Sequence, residues 1–122
     1  MIKTIELTHQ ITDAKIIFCY GNEAYKNYVN KRFDVNWEII GAAVCSEVVD
    51  EKTEDYVLVI GLHEHDDDKY QEASLLVHEM NHAVTFLVET YGFECDEFRS
   101  YTLQWLYKTI MPKLDKMRNE RN

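Results

Sequence analysis

Residues 75–87 read Leu-Leu-Val-His-Glu-Met-Asn-His-Ala-Val-Thr-Phe-Leu, which combines helical periodicity with the pattern His-Glu-x-x-His. Because an α-helix has about 3.6 residues per turn, His78 and His82 lie one turn apart on one face, where two imidazoles can reach one metal ion. Glu79 projects beside them, where a metal-activated water would need a general base. The stretch therefore predicts a helix that carries a metal site and a base.

The apolar residues of the same helix fall on the side opposite the histidines. A broad stripe of this kind faces a protein core. Two histidines at the surface of a buried helix could also be merely hydrogen-bonded, but their i, i+4 spacing with a Glu between them favours a metal site. The stripe consists of Leu76, Met80, Ala83, Val84, Leu87 and Tyr91.

The rest of the chain predicts an α+β fold in the order strand, strand, helix, strand, strand, helix, helix. Alternating or β-branched and aromatic residues mark the strands. The third and fourth strands flank the acidic turn 50–55 and read as a hairpin. We expect a small, mostly antiparallel sheet of about four strands, at residues 2–8, 15–20, 37–49 and 56–62.

Capping residues set the predicted helix ends. Asn22 and Asp96 are the expected N-caps of the first and last helices. The middle helix begins near Asp68 or Lys69, and Gly92 is its natural C-terminal stop. Pro112 should end the last helix, because proline lacks the N–H that a helix interior needs. The predicted helices span 22–33, 69–90 and 97–111.

Length and composition indicate one domain, at residues 1–114, followed by a polar tail at 115–122. The 122 residues include one Pro and four Gly, with no repeat or linker-like tract. The net charge of −9 argues against binding to nucleic-acid phosphates. No stretch is apolar enough to span a membrane and no signal peptide is visible, so the expected location is cytoplasmic.

The three cysteines, Cys19, Cys45 and Cys95, are odd in number and show no C-x-x-C spacing. We therefore expect reduced thiols rather than a disulfide framework. Cys19 and Cys45 fall in predicted strands, and nothing in the sequence pairs either thiol with a base.

The motif and the order of elements resemble the zincin metallopeptidases, in which a sheet precedes an active-site helix bearing His-Glu-x-x-His. The motif is matched at His78, Glu79 and His82. The following segment, Cys95-Asp96-Glu97-Phe98-Arg99-Ser100-Tyr101, resembles the glutamate-ligand (gluzincin-like) branch, in which a Glu on the next helix completes the site. The short chain is similar to the minimal single-domain types found in bacteria and bacteriophages.

This resemblance implies a minimal zincin-like fold and one Zn²⁺ per chain, held by His78, His82 and Glu97. Glu89 shares the azimuth of the histidines but lies roughly 10 Å beyond His82 along the axis, which is too far for a tetrahedral site. Glu97 would be held by the first turn of an antiparallel helix. The alternatives for the third ligand are Glu94, Asp96, Cys95 or an upstream histidine.

Tyr101 and the pair His63 and His65 are further candidates. Tyr101 lies one turn after Glu97 and could donate a hydrogen bond to a ligand carboxylate or an oxyanion, or simply pack between helices. His63 and His65 have strand spacing and could bind a second metal or line a cleft, although a solvated loop is the more common reading of Glu64 to Asp68. In zincins an extended substrate pairs with the edge strand beside the active-site helix, which by resemblance places residues 61–66 near the cleft.

Three functions from different classes fit these patterns. The first is a zinc metallopeptidase with a narrow range of protein or peptide substrates, in which Glu79 acts as the base. The second is a catalytically weak or inactive interaction protein on a zincin scaffold, of a phage or mobile-element type, that binds a host protein. The third is a helix whose motif binds no metal.

Overall fold

Four strands form one open, mixed sheet in the computed structural model, which describes residues 2–65 and 68–121. The sheet order is β1-β2-β4-β3. β2 and β4 pair in parallel, whereas β1 with β2 and β3 with β4 pair antiparallel. The expected α+β class with a small, mostly antiparallel sheet is confirmed. The strands are β1 (Thr4–Thr8), β2 (Lys15–Tyr20), β3 (Ala43–Val49) and β4 (Tyr56–Leu62).

Three helices cover the two faces of this sheet: α1 (Asn22–Phe33), α2 (Lys69–Tyr91) and α3 (Asp96–Arg121). Successive side chains of a strand point to opposite faces, so β2 divides its residues between two core clusters. Phe18 and Tyr20 join the cluster that contains α2 and α3, and Ile17 and Cys19 join the cluster beneath α1. The central strands are therefore buried on both faces, which explains their continuous apolar runs.

The helix α2 begins and ends where its sequence predicts. The Asp68 side chain accepts a hydrogen bond from the Gln71 N–H at 2.8 Å. At the other end Gly92 adopts a left-handed conformation with φ 75° and donates its N–H to the Val88 carbonyl at 2.8 Å. The predicted stripe is buried except for Tyr91, which is 37% exposed. Among the described helices, none combines the length and apolarity that a membrane span requires.

Two expectations in the first half of the chain are wrong because side-chain amides bind backbone groups there. Gly21 is the N-cap of α1 and no side chain caps that helix. The Asn22 side chain instead accepts the Ile39 N–H, and the Asn30 side chain accepts the Trp37 N–H, both at 2.9 Å. These N–H groups therefore bind side chains instead of a neighbouring strand, and β3 begins at Ala43 rather than at Trp37. Separately from these side-chain contacts, β1 begins at Thr4, two residues later than predicted.

The helix α3 does not end at Pro112. It continues to Arg121, and residues 115–121, expected as a polar tail, form its last turns. Leu114 and Met117 are buried against the main core, and they extend the apolar stripe that passes through Ile110. Burying this stripe compensates for the helical hydrogen bond that proline cannot make.

Candidate metal centre

The structure brings His78, Glu79 and His82 together on α2. The two histidine Nε2 atoms lie 3.1 Å apart, so that one ring nitrogen donates its hydrogen to the other. One potential ligand atom from each of the three residues lies within 4.8 Å of the others. Both histidines are exposed, whereas Glu79 is only 7% exposed. The helix therefore presents two accessible imidazoles with a shielded carboxylate beside them.

This donor set fits zinc. Two nitrogens bound to one tetrahedral zinc at about 2.0–2.1 Å are themselves about 3.3 Å apart, close to the separation of the two Nε2 atoms. Small rotations of the exposed rings would open the pair by that difference. Imidazole nitrogens with a neighbouring carboxylate are also the ligand types that zinc prefers.

Burial tunes the carboxyl group of Glu79. Desolvation raises the pKa of Glu79 above its usual range, and the neighbouring His82 and His78 oppose that rise. A carboxylate of raised pKa is a stronger base than an exposed one. The negative charge of Glu79 helps to raise the pKa of Cys45 on the edge strand β3, so α2 lies with the Glu79 carboxylate towards β3.

The thiols do not add a nucleophile to this centre. All three cysteines are free, as predicted, and Cys19 and Cys45 lie in β2 and β3. Burial raises the pKa of Cys19 to about 11. Burial, together with Glu79, also raises the pKa of Cys45. Both thiols therefore stay protonated near neutral pH, where a thiol is a weak nucleophile.

Glu97 lies outside the group formed by the two histidines and Glu79. It is exposed in the first turn of α3, and α3 runs antiparallel to α2 because Arg118 near its end binds Glu72 near the start of α2. The first turn of α3 therefore follows the C-terminal end of α2, whereas His82 lies about 13 Å before that end. The assignment of Glu97 as third ligand stays a prediction.

The alternatives to Glu97 and the candidate Tyr101 are also separate from the histidines. Glu94, Cys95 and Asp96 are exposed in the connection and the first turn of α3. Tyr101 is 43% exposed one turn further along α3. Within the described ranges, none of these residues joins the cluster on α2. Their predicted roles as ligands or as a hydrogen-bond donor remain predictions.

His63 and His65 follow β4 and are half-buried. The His65 ring Nδ1 donates to the His63 carbonyl at 2.8 Å. The described part of the chain does not gather these histidines into a second metal-binding group. The acidic run that follows includes Asp66 and Asp67, which lie outside the described residues. β4 lies between β2 and β3, so the edge strand beside α2 is β3. The expectation that residues 61–66 lie near the cleft stays a prediction.

A buried carboxylate that the sequence reasoning missed anchors the site helix. Glu72 is fully buried on α2, and its Oε1 accepts a hydrogen bond from Arg118 Nε at 2.6 Å. Its Oε2 accepts the His65 N–H at 2.8 Å and the Tyr20 hydroxyl. One carboxylate thus connects β2, the segment after β4, α2 and α3. The available signal was its position, since a Glu at the azimuth of the apolar stripe must bind partners in the core.

His9, for which the sequence suggests no role, holds α3 against the turn between β1 and β2. Its Nδ1 accepts the Thr12 N–H at 3.2 Å, so in the neutral ring Nε2 carries the hydrogen and donates to Thr102 Oγ1 at 3.1 Å. Phe98 and Trp105 meet the ring edge-on. Burial lowers the pKa of His9, which favours this neutral form.

Comparison of the chain with protein-family models, with curated proteins and with solved structures finds no match. The likeness to zincins consequently rests on the residues and the arrangement of this chain alone.

Proposed function

We propose that the chain is a zinc-dependent metallopeptidase that hydrolyses a peptide bond in a narrow set of protein substrates. The observation that supports this proposal best is the pair of Nε2 atoms 3.1 Å apart with the buried carboxylate of Glu79 beside them. A site with a purely structural metal has no need for a base next to its ligands. The chemistry therefore depends on Glu79 as much as on the histidines.

In this proposal His78 and His82 hold the ion, and Glu97, the predicted third ligand, must approach them from the first turn of α3. A bound zinc would lower the pKa of a water molecule to about 7 and polarise the carbonyl of the scissile bond. Glu79 accepts the proton of the attacking water and passes it to the leaving amine. Burial of Glu79 keeps this carboxylate basic, and the open face of α2 leaves room for the substrate.

The decisive experiment measures zinc and hydrolysis on the same preparations. Protein purified without a histidine tag is analysed for metal content and incubated with a peptide library that is read by mass spectrometry. We expect about one zinc per chain in the wild type and little in His82→Ala. Asn81→Ala, an exposed neighbour on the same helix, is the matched control and should keep its zinc.

Glu79→Gln separates catalysis from metal binding. It should keep its zinc and lose about 10²- to 10⁴-fold in hydrolysis, the usual contribution of a general base. Hydrolysis that persists in Glu79→Gln would contradict the role of Glu79. Zinc that persists in His82→Ala would contradict the ligand assignment.

A second candidate function is protein binding without efficient catalysis. It is favoured by the position of Glu97, because the described residues gather two histidines and the base but no third protein ligand. Zinc content near one per chain without any library cleavage would support this function over peptidase activity. The same experiment therefore distinguishes the two candidate functions, because both bind zinc but only the peptidase cleaves the library.

A further inference from the structure

The outer edge of β1 is open for pairing. β1 lies at the end of the sheet opposite β3, and the Tyr20 N–H donates to the Lys3 carbonyl at 2.8 Å. Since residues of an antiparallel pair alternate between bonded and non-bonded positions, Ile5 and Leu7 direct their backbone groups at β2. The alternate residues Thr4, Glu6 and Thr8 direct theirs away from the sheet.

β1 lacks the proline and the lysine that often protect an edge strand. Its one charged side chain, Glu6, is occupied by Arg32 at 3.5 Å. Three consecutive outward positions therefore offer a donor and an acceptor each. An added strand could pair with all of them.

An apolar groove runs beside this edge on the α3 side. It has a volume of about 260 Å³, and its lining includes Ile2, Ile5 and Met117. Ile2 is 68% exposed at the mouth of this groove. The opposite wall comes from one face of α3 and consists of Lys113, Lys116 and Glu120.

The charge at the groove is opposite to that of the chain. The protein carries 22 acidic and 13 basic residues, yet two lysines and one glutamate line the groove. Lys113 and Lys116 form no ion pair with any side chain that the structure describes. These two cations are available to the carboxylates of a partner.

We propose that the outer edge of β1 and the adjacent groove bind an extended segment of a partner protein in which one strand face carries both apolar residues and Asp or Glu, at positions i, i+2 and i+4. The segment adds a strand to β1, its apolar side chains enter the groove over Ile5 and Met117, and its carboxylates meet Lys113 and Lys116. Backbone pairing supplies affinity, and the apolar floor and lysine rim supply selectivity. This surface is distinct from the metal centre and does not depend on peptidase activity.

The test uses a fluorescent seven-residue peptide with Val at position 2, Glu at positions 4 and 6 and Thr elsewhere, so that these three side chains share one strand face, and a matched peptide with Lys at the acidic positions. Fluorescence anisotropy should show binding of the acidic peptide and none of the basic one. Reversing both groove charges, with Lys113→Glu and Lys116→Glu, should weaken binding about tenfold. Lys108→Glu, on the same helix but outside the groove, is the control and should bind as the wild type does.

Amide hydrogen exchange identifies the edge. Added peptide should slow exchange at Thr4, Glu6 and Thr8, while Ile5 is already protected by β2. Slowed exchange at Cys45 in β3 instead would place the peptide at the other edge and overturn the proposal. Equal binding of both peptides, binding of neither, or a dimer of the chain itself through β1 would also overturn it.

Discussion

The substitution Glu72→Gln should destabilise the protein severely, although it changes the size of the side chain very little. All the groups described around this carboxylate are donors: Arg118 on one oxygen, and the Tyr20 hydroxyl and the His65 N–H on the other. An amide offers one oxygen and one NH₂ group. In either orientation its NH₂ group therefore faces at least one donor that cannot accept a hydrogen bond.

The magnitude follows from burial. Glu72 has no exposed surface and the Arg118 side chain is 14% exposed, so Glu72→Gln leaves a guanidinium with little water around it and with the exposed Asp115, at 3.2 Å, as its only ion-pair partner among the described residues. Removing one member of a buried ion pair costs about 3–5 kcal/mol. For a chain of this length the unfolding entropy converts that loss into a fall in Tm of about 12–20 °C. A domain with about 5–15 kcal/mol of stability would lose a large part of it.

Urea unfolding followed by circular dichroism measures this loss, with Glu89→Gln as the control. Glu89 is an exposed residue of the same helix, and its substitution should change the unfolding free energy by less than about 0.5 kcal/mol. A loss below about 1 kcal/mol in Glu72→Gln would refute the view that this carboxylate anchors α2 to α3. A double-mutant cycle with Arg118→Ala would then show how much of the loss belongs to the ion pair.

Three further predictions concern stability and metal binding. The lowered pKa of His9 means that its neutral form stabilises the fold above about pH 6.5, and that this contribution is lost as the pH falls from there towards the folded pKa. Urea unfolding between pH 5 and 7 should therefore show an unfolding free energy that depends less on pH in His9→Gln than in the wild type. Zinc at about 100 times its Kd should raise the unfolding free energy of the wild type by about 2.7 kcal/mol and leave His82→Ala unchanged, as measured by thermal unfolding with and without a chelator. Glu97→Ala should weaken zinc binding at least tenfold in a competition titration with a chelator, and an unchanged affinity would move the third ligand to Glu94, Asp96 or Cys95.

The predictions succeeded where local chemistry decides the structure. The start of α2 at Asp68 and its stop at Gly92 follow from a side-chain cap and a left-handed residue, both of which act within a few residues. The clustering of His78, Glu79 and His82 follows from helix periodicity alone. These features could be derived from the sequence because they require no knowledge of distant contacts.

The failures at Pro112, Asn22 and Glu72 involve partners far apart in sequence. Pro112 is a helix-ending residue by local rules, but Met117 beyond it is buried in the core and the helix continues. The Asn22 side chain binds Ile39 instead of capping α1, and no spacing rule reveals that choice. Glu72 shows the same limit, since its partners lie in β2, after β4 and in α3.

The two proposed functional surfaces use opposite edges of the sheet, and this separation can itself be tested. β3 lies beside Glu79, whereas β1 forms the proposed binding edge, and β2 and β4 lie between them. Three inter-strand spacings of about 4.8 Å place the edges roughly 14 Å apart. Glu79→Gln should therefore bind the acidic peptide with wild-type affinity, as should wild-type protein with or without zinc. A peptide affinity that changes with Glu79 or with zinc would mean that the peptide occupies the metal face, because two separate sites on a rigid sheet have no reason to influence each other.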